Sequence, residues 1–179
     1  MSVSLGTIPN GYRIVDKNGD EADGYDECLC PIDCDEGQLI TDDELYDIFS
    51  SKNDGAQIIF ITDSCHSGTI TRDLDDKGKP RFYPSGVSPT AKKREKGRVA
   101  PVITLSACRA DEYSYDAVID GRPCGAFSHY ALGALADMPI DATYRDWHAE
   151  ICRRVAASGY GMTPQLEGPA EELDRIIFG

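Results

Sequence analysis

Gln57-Ile58-Ile59-Phe60-Ile61-Thr62 is the segment that most restricts what this chain can fold into. It is a short run of β-branched and aromatic residues with no alternating polar positions, and it ends in Asp63-Ser64. That pattern predicts a strand buried on both faces, as in a parallel sheet covered by helices. Val99 to Ala107 (VAPVITLSA) is a second such run, with Pro101 near its start, where a missing N–H is tolerable. Arg175-Ile176-Ile177-Phe178 offers a third. Helical patterns lie between them. Thr41-Asp42-Asp43-Glu44 forms a capping box that opens a helix through Leu45, Ile48 and Phe49. A second helix is expected from about Gly125 to Ala136. A third starts near Thr143, places Tyr144, Trp147, Ile151 and Val155 on one face, and is stopped by Gly159. Strands alternating with helices predict an α/β layered domain with a mostly parallel sheet. The 179 residues suit a single domain, 1–179, and no internal repeat is visible.

Charge is distributed unevenly along the chain. The formal net charge is −13, and 16–47 carries thirteen acids and one base, Lys17, for a net −12. Aspartates packed so densely repel one another unless a cation or a basic partner is present; the plainer reading is a solvated face. From Lys77 to Arg98 the sign reverses, with eight bases against Glu95. That stretch, 77–98, is rich in Gly and Pro, shows no period, and reads as a flexible basic loop or linker within the domain. The acidic balance argues against nucleic acid or an anionic membrane as the main partner. The apolar run Ile58–Ile61 is far shorter than the roughly 20 residues of a membrane span. The first residues, Met1-Ser2-Val3-Ser4-Leu5, lack the pattern of a signal peptide. Seven cysteines, an odd number, fit free thiols in a reducing compartment better than a disulfide framework, so a cytoplasmic protein is expected.

Reactive groups of open α/β sheets collect beyond the carboxyl ends of the strands. Here that place reads Asp63-Ser64-Cys65-His66-Ser67-Gly68. A cysteine by itself is most often a small buried hydrophobe. Serines and a glycine around Cys65 do not pack a core, however, and they let a substrate backbone approach closely.

These residues resemble the nucleophile motif of metacaspases and their bacterial caspase-like relatives. The resemblance extends to Asn18–Glu27 with Pro31-Ile32-Asp33, to Thr41–Leu45, to Val102–Glu112 with Gly125-Ala126-Phe127-Ser128, and to Thr163-Pro164-Gln165-Leu166. It implies a three-layer caspase-like α/β fold, N-terminally incomplete here, and a cysteine endopeptidase that cuts polypeptides after Arg or Lys. Cys65 would attack the scissile carbonyl and form a thioester acyl-enzyme that water hydrolyses. Asp63 matches the acid at the floor of the pocket for the basic side chain, where charge-assisted hydrogen bonds select Arg or Lys. The other reading of Asp63 is a strand-end cap for backbone N–H groups.

A caspase-type cysteine takes its base from a histidine about 50 residues upstream. This sequence has His66, His129 and His148, none of them before Cys65. The family's Ser-Gly-His-Gly-Ser/Thr loop has its best counterpart in Val3-Ser4-Leu5-Gly6-Thr7, with Leu5 in the histidine's place. A thiol with an ordinary pKa of about 8.5 is only a few per cent thiolate at neutral pH, so the chain as written is expected to be weak or inactive. A truncated start and a genuine pseudo-enzyme both explain this. In the second case the module would bind calcium or basic peptides without cleaving them.

The resemblance also implies calcium, held by Asp20, Asp42, Asp43 and Asp73; hard carboxylate oxygens are what Ca²⁺ selects. An EF-hand at Asp16–Glu27 is a poorer fit, because Glu21 stands where its turn needs glycine. Cys28, Cys30 and Cys34 lack a nearby fourth ligand for zinc and read as residues of a strand and turn. Lys92, Lys93, Arg94, Lys96 and Arg98 are residues this family cuts after, so that loop is either an autoprocessing or self-inhibiting segment or a soluble tether. A sheet short of its first strands would expose an edge to pairing with another chain.

Overall fold

The computed structural model describes residues 10–15, 25–29, 31, 38–64, 79–80, 102–109 and 112–179. For 10–15, 25–27, 42–43 and 79–80 it describes the backbone alone.

The two apolar runs form the centre of the structure, as expected. β4 (Ile59–Thr62) and β6 (Ile103–Ser106) pair in parallel, with Ile59 opposite Ile103 and Ile61 opposite Leu105. On the far side of β6 lies β9 (Gln165–Glu167), antiparallel, with Leu166 opposite Leu105. Successive residues of a strand face opposite sides. Ile59, Ile61, Ile103, Leu105 and Leu166 therefore share one face and join the main core. Phe60 lies on the other face and meets Phe49 of α1 (Asp42–Ser50), with ring centroids 5.2 Å apart. The sheet is thus covered on both sides, which gives the layered α/β class.

β4 bonds to β6 through alternate residues: Ile103 N–H donates to Ile58 O at 3.1 Å, and Ala107 N–H to Thr62 O at 3.0 Å. In a parallel ladder this leaves the peptide groups of Ile59 and Ile61 turned away from β6. Among the described strands none pairs with that edge.

The helices follow the sequence closely. The capping box at Thr41 is present: Glu44 N–H donates to Thr41 Oγ1 at 3.1 Å, and Thr41 N–H to Glu44 Oε2 at 3.0 Å. α2 spans Ala126–Asp137 and α3 spans Tyr144–Ser158. α3 has its own box at Thr143 and Asp146, and it ends at Gly159, whose φ of 79° is left-handed. Tyr144, Trp147, Ile151 and Val155 are all buried, as their spacing predicts. They pack with Phe127, Ala131 and Ala134 of α2, and Trp147 Nε1 donates to Ala131 O at 2.9 Å. A four-residue helix, α4 (Ala170–Leu173), follows β9.

Two further sheets flank this centre. β1 (Asn10–Val15), β2 (Tyr25–Leu29) and β3 (Ile40–Thr41) are antiparallel in that order. Cys28, buried on β2, lies on a strand as expected, while Cys30 and Cys34 fall outside the described residues. β5 (Lys79–Pro80), β7 (Tyr115–Ile119) and β8 (Arg122–Gly125) form the third sheet. The β7–β8 turn is Asp120-Gly121, with φ of 53° and 74°, the two positive values of a tight hairpin.

Three sequence expectations need correction. Arg175–Phe178 is not a strand: its β-type pairing among the described residues is one isolated bridge, Thr143 to Ile176, and β9 takes the expected third place. Its apolar residues serve packing instead, Phe178 standing edge-on to Tyr144 and Trp147 at 6.3 Å. Within the loop read as 77–98, Lys79–Pro80 is short strand rather than loop, and 81–98 lies outside the described residues. The second run is strand only from Ile103.

Candidate active site

Asp63 and Ser64 leave the carboxyl end of β4 and are buried, at 5% and 3% exposure. A buried carboxylate must be matched by donors, and Asp63 finds them on two other elements. Ser114, fully buried just before β7, donates its hydroxyl to Oδ1. Ser128, in the first turn of α2, donates its backbone N–H to Oδ2 at 2.9 Å. Gly125, the residue that precedes α2, has no side chain with which to cap it. The first N–H groups of a helix have no partner within the helix, and its N-terminus favours negative charge. Asp63, 65 residues away in sequence, therefore does what an N-cap side chain does locally.

The loop after β6 lies against the loop after β4. Cys108, buried at the start of that loop, directs its thiol toward Glu112 O at 3.5 Å and Ser64 O at 4.0 Å. Glu112 fastens the same loop to the segment before β9. Its Oε2 accepts from Thr163 N–H at 2.7 Å and Arg109 N–H at 3.1 Å, and its Oε1 accepts from the Thr163 hydroxyl at 2.6 Å. Two adjacent parallel strands, the N-terminus of α2 and this clamped loop thus meet around Asp63. That is the position where open α/β sheets bind and transform ligands.

Cys65 and His66 lie outside the described residues, as do Asp20, Asp73, Lys92, Lys93, Arg94, Lys96 and Arg98. Asp42 and Asp43 open α1, with backbone alone described. Among the described residues no three His, Cys, Asp or Glu side chains are grouped to hold a metal ion.

The other two histidines are on helices. His129 of α2 is half-buried and packs edge-on against Tyr130, ring centroids 5.0 Å apart. His148 of α3 has Nε2 2.9 Å from Pro164 O and 3.3 Å from Cys152 Sγ. A carbonyl only accepts, so Nε2 carries the proton and donates it. Burial raises the Cys152 thiol above its ordinary range. By residue type this is a cysteine–histidine pair, but a protonated nitrogen beside a raised thiol does not activate a nucleophile.

Ser114, Ser128, Glu112 and Thr163 were not legible as site residues. Asp63's partners are 51 and 65 residues away, and no local spacing connects them. Two signals were available: Glu112, Ser128 and Thr163 fall within the segments that carry the family resemblance, and a helix opening on Gly125-Ala126-Phe127 needs an acceptor from elsewhere.

Residues 8–74 match the metacaspase, peptidase C14 domain family. Metacaspase-1 of Mycosarcoma maydis is 31% identical over 189 aligned residues, covering 83% of this chain and 46% of that protein. Metacaspase-1 of Candida glabrata is 28% identical over 199, covering 88% and 50%. The chain spans about half the length of these curated relatives. A crystal structure of a Geobacter sulfurreducens protein superposes with a TM-score of 0.66 at 25% identity, covering 95% of this chain and 67% of that one.

Proposed function

From the premise that the chain belongs to the metacaspase family, we propose that it is the cysteine-peptidase core of an endopeptidase that cleaves after Arg or Lys. The observation that carries this reading is the Asp63 carboxylate, buried and held by two donors at the carboxyl end of β4, two residues before Cys65. A guanidinium or ammonium group entering there gains charge-assisted hydrogen bonds, whereas an acidic side chain meets repulsion.

In the proposed reaction the Cys65 thiolate adds to the scissile carbonyl. The C–N bond breaks, the amine leaves with a proton, and water then hydrolyses the thioester. The imidazole for these proton transfers is assigned to a histidine absent from this sequence, because His66, His129 and His148 all follow Cys65, where a caspase-type base precedes the nucleophile. Calcium is assigned to the carboxylates of Asp20, Asp42, Asp43 and Asp73, a hard-oxygen donor set that suits Ca²⁺. Its role would be to neutralise the acidic segment. Lys92, Lys93, Arg94, Lys96 and Arg98 are proposed as autoprocessing positions. The edge formed by the Ile59 and Ile61 peptide groups is where another chain would pair.

The test measures hydrolysis of fluorogenic Arg, Lys and Asp peptide amides by this chain, and by a longer polypeptide that carries the Ser-Gly-His-Gly loop. The expected result is cleavage of Arg and Lys amides by the longer form, suppressed by a calcium chelator and abolished by Cys65→Ala. Mass spectrometry should then find cuts after bases in 92–98. Activity indifferent to Cys65→Ala, or a preference for Asp, would overturn the reading. Binding of calcium and basic peptides by the longer form without cleavage would favour a non-catalytic module.

A further inference from the structure

The reading of Asp63 as the acid that receives a basic side chain leaves open what fixes the direction of its carboxylate. The terminal torsion of an aspartate is broad and twofold, so burial alone does not orient the carboxylate plane. Here each oxygen has its own donor, and the two donors come from different elements: Ser114 at Oδ1 and the first turn of α2 at Oδ2. Bonds from two separate directions hold the plane more firmly than either of them alone.

The Ser114 donor is itself rigidly placed. Two residues before it, Glu112 is tied to Thr163 by two hydrogen bonds. Directly after it, Tyr115 begins β7, which is paired with β8 through Asp116 to Ile119. Ser114 is fully buried, so its hydroxyl does not exchange Asp63 for bulk water. The Ser128 anchor is a backbone N–H and no side-chain change removes it. Ser114 is the anchor that sequence variation can tune.

Building on the proposed role of Asp63, we propose that Ser114 is a positioning residue that orients the Asp63 carboxylate and thereby sets a preference for arginine over lysine. The chemistry of the two cations differs in the way this requires. Guanidinium is a planar fork that gains most from a carboxylate presented in its own plane, through two parallel bonds. Ammonium is a compact point charge and is nearly indifferent to that plane. Loss of the Ser114 hydroxyl should therefore weaken arginine far more than lysine, a pattern that a general loss of structure would not produce.

Binding rather than turnover reads this out, so the 179-residue chain itself suffices. Nα-acetyl-arginine amide and Nα-acetyl-lysine amide are titrated separately into ¹⁵N-labelled protein, with the Ser128 amide as reporter of Asp63. The wild-type chain is expected to favour arginine. Ser114→Ala should weaken arginine about tenfold, the scale of one hydrogen bond to a charged group, and lysine by no more than about twofold. Ser114→Thr, which restores a hydroxyl, should recover the difference. Should the alanine variant fold poorly, Ser114→Cys gives a near-isosteric weak donor and should show the same ordering at reduced size. Equal effects on both ligands, or none on either, would overturn the proposal. Asp63→Asn separates the two ideas: if it abolishes both titrations while Ser114→Ala alters neither, Asp63 keeps its role and Ser114 loses the one proposed. If wild type and Asp63→Asn titrate alike, both fall together.

Discussion

Removing the Asp63 carboxylate should reveal how much of the fold rests on it. Asp63→Ala deletes the acceptor of two donors at once: the Ser114 hydroxyl, fully buried, and the Ser128 N–H at the start of α2. A buried donor left without an acceptor costs about 1–3 kcal/mol. The lost interaction of a negative charge with a helix N-terminus adds about 0.3–1 kcal/mol. The expected destabilisation is therefore about 2–7 kcal/mol. Asp63→Asn should cost far less. Its Oδ1 can accept from Ser128, and its Nδ2 can donate to Ser114 Oγ once that hydroxyl turns, leaving mainly the charge contribution, on the order of 1 kcal/mol. Equilibrium urea unfolding at neutral pH, followed by the fluorescence of the single tryptophan, Trp147, buried between α3 and α2, measures both. An alanine variant within about 0.5 kcal/mol of wild type, below what a single orphaned donor would cost, would refute the capping argument. So would an asparagine variant as damaging as alanine.

Three further outcomes follow from other parts of the structure. Thr62 Oγ1 is a buried hydroxyl with no hydrogen-bond partner among the described residues. Thr62→Val, equal in shape, should therefore leave urea stability unchanged or raise it by up to about 1 kcal/mol, where a hidden partner would make it fall. Thr143→Ala removes the acceptor for Asp146 N–H at 3.2 Å and should cost about 1 kcal/mol in the same assay. Glu150 is held at about 2 by its hydrogen bonds to Arg153 and then Arg154. Its folded value lies below the unfolded one, so its contribution is complete above pH about 4.5 and is lost as pH falls toward 2. Tm measured across that window should drop less steeply for Glu150→Gln than for wild type, and parallel curves would contradict the assignment.

Where sequence sufficed, periodicity and a terminal signal agreed. α3 combines an apolar face at Tyr144, Trp147, Ile151 and Val155 with a capping box at one end and Gly159 at the other, and the structure reproduces all three. β4 and β6 were legible because a strand with its faces covered leaves an uninterrupted apolar run. Apolarity misleads where it serves packing without pairing. Ile176-Ile177-Phe178 looks like a strand, yet Phe178 adopts a φ of 59°, outside the strand region, to bring its ring against Tyr144 and Trp147. The β7–β8 hairpin is harder to read: Asp120-Gly121 is a strong two-residue turn signal, but Arg122-Pro123-Cys124-Gly125 has poor strand composition. The site divides similarly. Asp63 follows from its place at a strand end, but the partners that hold it are set by tertiary contacts that no local pattern encodes.

On the proposed reading Asp63 serves both the fold and the substrate, and that double use limits how such a site can change. If this carboxylate only recognised a basic side chain, replacing it with lysine or arginine would be a direct route to acidic substrates. In this structure that change would put a positive charge at the N-terminus of α2, where the helix dipole is least tolerant of it. It would also leave the Ser128 N–H, which can only donate, facing another donor. The stability cost falls on the fold before substrate enters. A variant selected for acidic substrates should therefore keep Asp63, or carry Asn there, and introduce its new cation from a neighbouring loop. Recovery of active, stable proteins with Asp63→Lys or Asp63→Arg and no second change at Ser114 or Gly125 would show that helix and pocket are separable after all.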